Sequence, residues 1–455
     1  MPTNTSIQNF SVERWWFTDT EQPAAQGSDY VLVQTPQAKL EPSSVGQLVS
    51  VAGLENADIV YGDEYVASLR GPNSPRFKPG FNPDLLRACD YIGDSILIRR
   101  SMLLDHLRQH GCESVYDLCC RCFAQNGRIA HARNAWVSYG RLRSQALNSS
   151  KKQVSAALNI YQDHNELTEQ SQGVQASIII PTRDRLDLLK QCIESVYLDP
   201  GSVSFEVIVV DNGSVEPATL DWLASAPTRF DALKVVRDDG EFNWSRLNNT
   251  GRKHAQGQVG IYLNNDIEDF SSGWLEALVE RALRPDTGVV GVLLRYPDLT
   301  IQHAGVVVGI GRFADHVYCG APLKADDGHM FVDPLLPRNV LACTGACIAL
   351  SFTKYDEVGG FDEGLVICGD VAICIALHRL GYRNLYDPAI QALHLESATR
   401  PREALGQQEI ERLMPYIETF VREGDPFYHP DLDLRGRYPT FDRTQRPPDN
   451  RRIRG

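Results

Sequence analysis

What this 455-residue sequence lacks narrows it first. It has no excess of positive charge: 45 Lys and Arg face 58 Asp and Glu, for a formal net charge of -13. A broad nucleic-acid footprint needs a basic surface to meet phosphates, so nucleic acid is not an expected partner. No apolar run is long enough to span a bilayer, and Met1-Pro2-Thr3-Asn4 does not open a signal-peptide pattern. The expectation is a cytoplasmic protein. No Gly-x-Gly-x-x-Gly follows the apolar run Ser177–Ile180, which argues against a nicotinamide-dependent dehydrogenase. The 11 cysteines are odd in number, and many lie in apolar stretches, so they read as small buried hydrophobes of a reducing compartment. Cys119-Cys120-Arg121-Cys122 has CxxC spacing, with Cys112, His110 and His106 upstream, but no second CxxC half follows. A packed helix is the preferred reading there over a zinc site.

What is present is an ordinary globular composition, 43% hydrophobic and 23% charged, in a chain long enough for two or three units. Residues 1–143 form a first region and 144–175 a polar helical linker. Residues 176–400 form a second domain, and 401–455 a C-terminal helix with a basic tail ending in Arg451, Arg452 and Arg454. Two readings of that tail stand side by side: a solvated end, or a contact with anionic head groups at the inner face of the cell membrane.

The second domain alternates strand and helix signals. Ser177–Ile180 reads as a short buried strand stopping at Pro181, followed by Leu186, Leu189, Ile193 and Val196 at helical spacing. Phe205–Val210, Leu233–Val236 and Val259–Leu263 are further strands, and the helix near Trp274 carries Leu275, Leu278, Val279 and Ala282 on one face. This pattern predicts the α/β class, a Rossmann-like, mostly parallel sheet with helices on both faces.

Ligands of open α/β sheets sit at the carboxyl ends of strands. Three such ends here carry polar clusters: Pro181-Thr182-Arg183-Asp184, Asp211-Asn212-Gly213-Ser214 and Asn264-Asn265-Asp266. Each alone is an ordinary turn or loop. Together they offer acceptors for a base and ribose, and oxygen ligands for a divalent cation that binds a diphosphate.

With the segments IIIPTRDRLDLL, EVIVVDNGS, FNWSRLNN, LNNDIE, TIQHAGVVVGIG, TGACIAL, VGGFDE, LGYRNLYDP and HLES, the second domain resembles inverting family 2 glycosyltransferases of the GT-A fold, among them bacterial O-antigen, rhamnan and capsule enzymes. The resemblance implies that Pro181, Thr182, Asp184, Asp211 and Asn212 surround the nucleotide of a nucleoside-diphosphate sugar. It adds Phe242, Asn243, Asn248 and Asn265 to the donor pocket, and Gly345 and Ala346 to the acceptor edge. Asp266 and His394 would hold Mg2+ or Mn2+. Asp370 would be the general base, with an N-cap of the following helix-like run as its plain alternative. The implied acceptor is a growing, lipid-linked glycan, the implied sugar rhamnose, and partner glycosyltransferases are further candidates for contact. His303 reads as structural or acceptor-facing, and Trp244 as a stacking or a buried residue.

Two departures stand out. The family's Asn-Asp-Val-Asp and Leu-Cys-Leu-Arg become Gly369-Asp370-Val371-Ala372 and Ile373-Cys374-Ile375-Ala376, so an acid and an arginine are both alanine. The segments DIVYGDEY (58–65), RFKPGFNPDLL (76–86), YIGDSILIRR (91–100) and Tyr116-Asp117-Leu118 resemble the second half of another such domain. Gln34-Thr35-Pro36-Gln37 stands where its acidic cluster is expected, and none of these can supply a carboxylate. The first region is therefore expected to be a degenerate, partial GT-A-like domain. A non-catalytic scaffold that binds nucleotide or glycan and supports an active partner is the rival to an enzyme.

Overall fold

The computed structural model describes residues 12–16, 28–66, 74–110, 114–139, 175–323, 330–395 and 406–441. The linker 144–174, the tail 442–455, Cys112, residues 324–329 and the end of the HLES segment lie outside them. The chain divides into two compact units near residue 162, and residues 330–332 group with the first.

The first unit is built on strands β1 (Val12–Trp16), β2 (Tyr30–Gln34), β3 (Ala38–Leu40), β4 (Ile59–Val66), β5 (Ser74–Arg76), β6 (Ser95–Arg99) and β7 (Ile129–Tyr139). They pair in the order β1-β2-β6-β4-β7-β3, with β5 on β4. Successive residues of a strand point to opposite faces, and both faces are buried. Val31, Val33, Ile59 and Ile98 join the helix Val115–Ala124, while Leu32, Val60 and Leu97 join the helix Pro42–Glu55. Cys119, Cys120 and Cys122 are free and sit in that core. Burial pushes the Cys120 and Cys122 thiols up to about 12, away from the thiolate that binds zinc. His106 pairs with Asp117 instead (3.3 Å). The packed-helix reading is the one realised.

The second unit contains β8 (Gln175–Thr182), β9 (Ser204–Asp211), β10 (Leu233–Arg237), β11 (Val259–Leu263), β12 (Ile267–Glu268), β13 (Thr287–Arg295), β14 (Ile301–His303), β15 (Val306–Val308), β16 (Ala314–His316), β17 (Arg338–Val340), β18 (Cys347–Ser351) and β19 (Arg383–His394). Its main sheet runs β10-β9-β8-β11-β18-β13-β19-β12. The run β10-β9-β8-β11 is parallel; β18 then reverses direction, so the sheet is mixed beyond it. β8 does not stop before Pro181. Its pairing with β11 ends at Ile179, so Pro181 lies past that ladder and its missing N–H costs no bond there, while pairing with β9 continues to Thr182.

Ile178, Ile180, Val207 and Val209 pack with the helices Leu186–Leu198, Pro217–Arg229 and Trp274–Leu283. Ile179 and Val210 face the other way, toward Gly251 of the helix Trp244–His254. A sheet covered on both faces gives near-continuous apolar strands. The α/β class and the helices on both faces are as expected.

The first unit repeats part of the second, strand for strand. β1-β2-β6-β4-β7-β3 has the order and the parallel or antiparallel senses of β8-β11-β18-β13-β19-β12. The corresponding parallel pairs β4–β7 and β13–β19 are both broken by register shifts, one in the first and two in the second. Among the described residues the first unit has no counterpart of β9 and β10.

Candidate functional site

The three strand-end clusters meet. Thr182 and Asp211 are register partners, and the Asn212 N–H donates to the Thr182 carbonyl (2.7 Å). Asn265, from the third cluster, donates from Nδ2 to Thr182 Oγ1 (2.9 Å). Residues from three separate strands are thereby fixed within hydrogen-bond reach of one another, at the carboxyl edge of the parallel run.

Within this group the roles differ. Asp184 has φ of +51° and Arg185 of +50°, a strained backbone for residues with a Cβ. Asp184 Oδ1 offsets this by accepting from the Val215 and Glu216 N–H groups (both 2.9 Å), and its own N–H donates to Ser214 Oγ (2.7 Å). Its carboxylate is spent on closing the loop. Asp211 is buried, with Oδ1 accepting from the Ser214 N–H (2.9 Å) and Oδ2 from Arg237 Nη1 (2.6 Å). Arg237, 42% exposed in its side chain and also bonded to Asp239, is a cation that the sequence reading missed. Only the register shows it: β10 ends on Arg237 and pairs it with Asp211. Asn212 is held by the Asp238 and Gly240 carbonyls (3.0 and 2.7 Å).

The FNWSRLNN segment is placed differently from a simple pocket lining. Phe242 is half-buried. Asn243 caps the helix Trp244–His254, accepting from the Arg246 N–H (2.8 Å), and donates to the Glu363 carbonyl (2.8 Å). Asn248 is fully buried, with Nδ2 turned back to the Trp244 carbonyl (2.8 Å). Trp244 is buried edge-on to Phe361, so the packing reading holds for it.

Asp266 and His394 lie side by side because Ile267 of β12, the residue after Asp266, is the register partner of His394 in β19. Both are 6% exposed, with His394 Nε2 3.2 Å from Asp266 Oδ1. His394 Nδ1 has no protein partner. A carboxylate oxygen and an imidazole nitrogen held this close, with ligand capacity to spare, fit a divalent cation.

Asp370 is not an N-cap. Cys368 holds that place in the helix Gly369–Arg379, and Asp370 is its second residue. Oδ2 accepts from the Gly345 N–H (2.6 Å) and Oδ1 from the Val371 N–H (2.7 Å). Burial pushes the carboxyl up to about 6, against the pull of those N–H groups. Gly345 is required by close approach: a Cβ there would lie 2.4 Å from the Trp244 ring and 3.1 Å from the Asp370 Cβ. The next residue, buried Ala346, accepts from the Asn264 N–H (2.9 Å). Two successive residues thus tie Asp370 to the loop that carries Asp266. Ala372 is buried and Ala376 half-buried, so neither position leaves a stranded charge.

His303 is fully buried with no partner on either ring nitrogen, and burial holds it neutral, well below the usual histidine range. Its position is in the core. In the first unit, β3 pairs Ala38 with Tyr139 as β12 pairs Ile267 with His394. Gln37 and Tyr139 therefore stand in the places of Asp266 and His394.

Residues 177–358 match the family described as Glycosyl transferase family 2. The second unit carries a family 2 glycosyltransferase domain. Along most of its length the chain is also similar to the O-antigen biosynthesis protein RfbC of Myxococcus xanthus, 32% identical over 90% of this chain and 34% of that protein. It is 30% identical to the uncharacterized protein y4gI of Sinorhizobium fredii (strain NBRC 101917 / NGR234), over 89% of this chain and 48% of that protein. The chain therefore spans less than half the length of these relatives. A crystal structure of GalNAc-T7 with UDP, GalNAc and Mn2+ is similar at 18% identity, with a TM-score of 0.43, over 55% of this chain and 49% of that one. The second unit is α/β, a mixed sheet with helices on both faces, and among the described residues no helix is long and apolar enough to cross a membrane.

Proposed function

We propose that the second unit transfers a sugar, with inversion, from a nucleoside-diphosphate sugar to a hydroxyl of a growing bacterial surface polysaccharide. Asp370 carries this reading. It is a half-buried carboxylate raised to about 6, locked by two backbone N–H groups and tied through Gly345 and Ala346 to the Asp266 loop.

A raised pKa makes the carboxylate a stronger base while it stays ionised at neutral pH. The acceptor hydroxyl gives its proton to Asp370 as its oxygen bonds to the anomeric carbon. The bond from that carbon to the diphosphate breaks on the opposite face, and the nucleoside diphosphate leaves with the electron pair. Asp266 and His394 would hold Mg2+ or Mn2+, and an imidazole ligand favours Mn2+. A cation there supplies positive charge beside the departing diphosphate. Thr182, Asn265 and the Asp211–Arg237 pair line the nucleotide end. The O-antigen name of the RfbC relative supports a polysaccharide acceptor, and rhamnose is the first sugar to try.

The first unit has Gln37 and Tyr139 at the places of Asp266 and His394 and no β9 or β10 equivalent among the described residues, which supports a role other than donor binding. Transfer and donor hydrolysis measured with uridine, thymidine and guanosine diphosphate sugars plus Mn2+ decide the matter. Turnover that is lost in Asp370→Asn is the expected result. Metal-dependent nucleotide binding without turnover on any donor would establish the scaffold instead.

A further inference from the structure

The helix Gln407–Glu423 lies beyond the segment that matches the family, and its inner row is Glu409, Leu413 and Ile417, spaced by four. A carboxylate in an apolar row is costly unless its charge is met by bonds. Glu409, 8% exposed, meets it with three backbone N–H groups. Oε2 accepts from Val366 (2.8 Å), and Oε1 from Ile367 (2.9 Å) and Cys368 (2.8 Å). These residues lead directly into the helix that bears Asp370.

The loop is gripped from its other side as well. Ser245 Oγ donates to the Leu365 carbonyl (2.7 Å) and the Trp244 N–H to the Val366 carbonyl (2.8 Å). Gly369 packs on Ser245 so closely that a Cβ would lie 2.1 Å from its Oγ. Both backbone polar groups of Val366 are therefore fixed, while the side chains of Val366 and Ile367 stay 39% and 41% exposed. The peptide edge is turned in and the side chains out.

We propose that Glu409 is a positioning residue for Asp370, fixing the loop 366–368 and keeping its own negative charge within range of the base. This rests on the assignment of Asp370 as the base. Among the described residues, the titratable groups close enough to act on or be acted on by the Asp370 charge are the Cys343, Cys368 and Cys374 thiols and the Glu409 carboxylate. Burial holds all three thiols protonated. Glu409 is thus the charged member of the set, and it acts in the same direction as burial, raising Asp370.

The test uses the full chain with Glu409→Gln, which keeps the shape and one acceptor oxygen but removes the charge, and Glu409→Ala. Hydrogen exchange at the Val366, Ile367 and Cys368 amides should accelerate in both. The Asp370 carboxyl, followed by NMR titration against Asp370→Asn, should titrate at lower pH in Glu409→Gln. In the transfer assay kcat should fall 10- to 100-fold, on the order expected for a misplaced catalytic group. Donor KM should hold within about twofold and the acid limb of the profile should move down. Unchanged amide exchange with an unmoved Asp370 titration would overturn the proposal, as would a lowered Tm with kcat and acid limb intact. If the wild type turns over no donor, the base assignment falls, and the exchange and titration still judge the loop and charge effects of Glu409.

Discussion

The N–H of Gly345 donates to Asp370 Oδ2 at 2.6 Å, and no side chain larger than hydrogen fits at residue 345 between Trp244 and Asp370. The Asp370 carboxylate is held by backbone N–H groups, which have no rotamers to lose, on the first turn of a helix whose approach loop is also held by backbone bonds. A group fixed this way reaches its acting geometry at little entropic cost at the moment of reaction.

Asp370→Asn should lower kcat by about 100- to 10,000-fold, the range for loss of a general base. Donor affinity, measured by calorimetry, should change by less than about twofold, because Asp370 touches no residue of the nucleotide end. Equal kcat in the two proteins would remove Asp370 from the mechanism.

The pH dependence has a defined sign. The base must be ionised to accept a proton, so kcat/KM should rise with pH through about 6 and flatten above it. Stability runs the other way. A carboxyl raised from 3.8 to about 6 binds its proton more tightly when folded, so its contribution is full below about 4 and lost as pH climbs through about 6. Between these limits the wild type should lose at most about 3 kcal/mol relative to Asp370→Asn, discounted for a side chain that is only half-buried. Denaturant titrations of both proteins across that window would show a constant difference if the carboxyl were unperturbed.

Gly345→Ala should disable transfer while sparing the fold. The new methyl must displace the Trp244 ring or the Asp370 side chain, an overpacking cost of about 1–3 kcal/mol. A drop in kcat far beyond any change in donor affinity is expected, and wild-type kcat would contradict the close approach.

Asp266→Ala and His394→Ala should each weaken Mn2+-dependent donor binding, Asp266→Ala more, since it removes the charged ligand. Chelation of the wild type should have the same effect and be reversed by added Mn2+. Donor affinity insensitive to both chelator and substitution would remove the metal from this site.

Donor should bind with a stoichiometry of one per chain. Gln37 and Tyr139 occupy the places of Asp266 and His394 in the first unit, and neither supplies a carboxylate. Two equivalents in a calorimetric titration would show a second donor site.

Much of the site was legible as residue types closing apolar runs. Asp211, Asn265 and Asp266 each follow a strand whose two faces are buried, and such strands announce themselves as continuous Val, Ile and Leu. Asp370 stood out because an acid preceding an apolar helix needs either a structural or a chemical reason. What stayed hidden were partners whose meaning depends on register or long separation. Arg237 meets Asp211 across a strand pair, and Glu409 reaches Val366 from 43 positions away. The roles of Asn243, Asn248 and Asp184 were also hidden, because a polar side chain near a pocket and one satisfying a cap or a loop look alike in sequence.

By itself, the sequence determined the alternation of strands and helices, and which strand ends carry polar groups, because strands buried on two faces read as short continuous apolar runs and the helices between them as apolar residues at helical spacing. It also determined that residues 34–37 carry no carboxylate. Only the tertiary structure decided that Thr182, Asp211 and Asn265 share one edge, that Asp370 answers to Gly345 and lies near Glu409, and that the first unit repeats the β8-β11-β18-β13-β19-β12 pairing. Those relations are set by strand order and register, which bring distant residues together through contacts that leave no local signature in the chain.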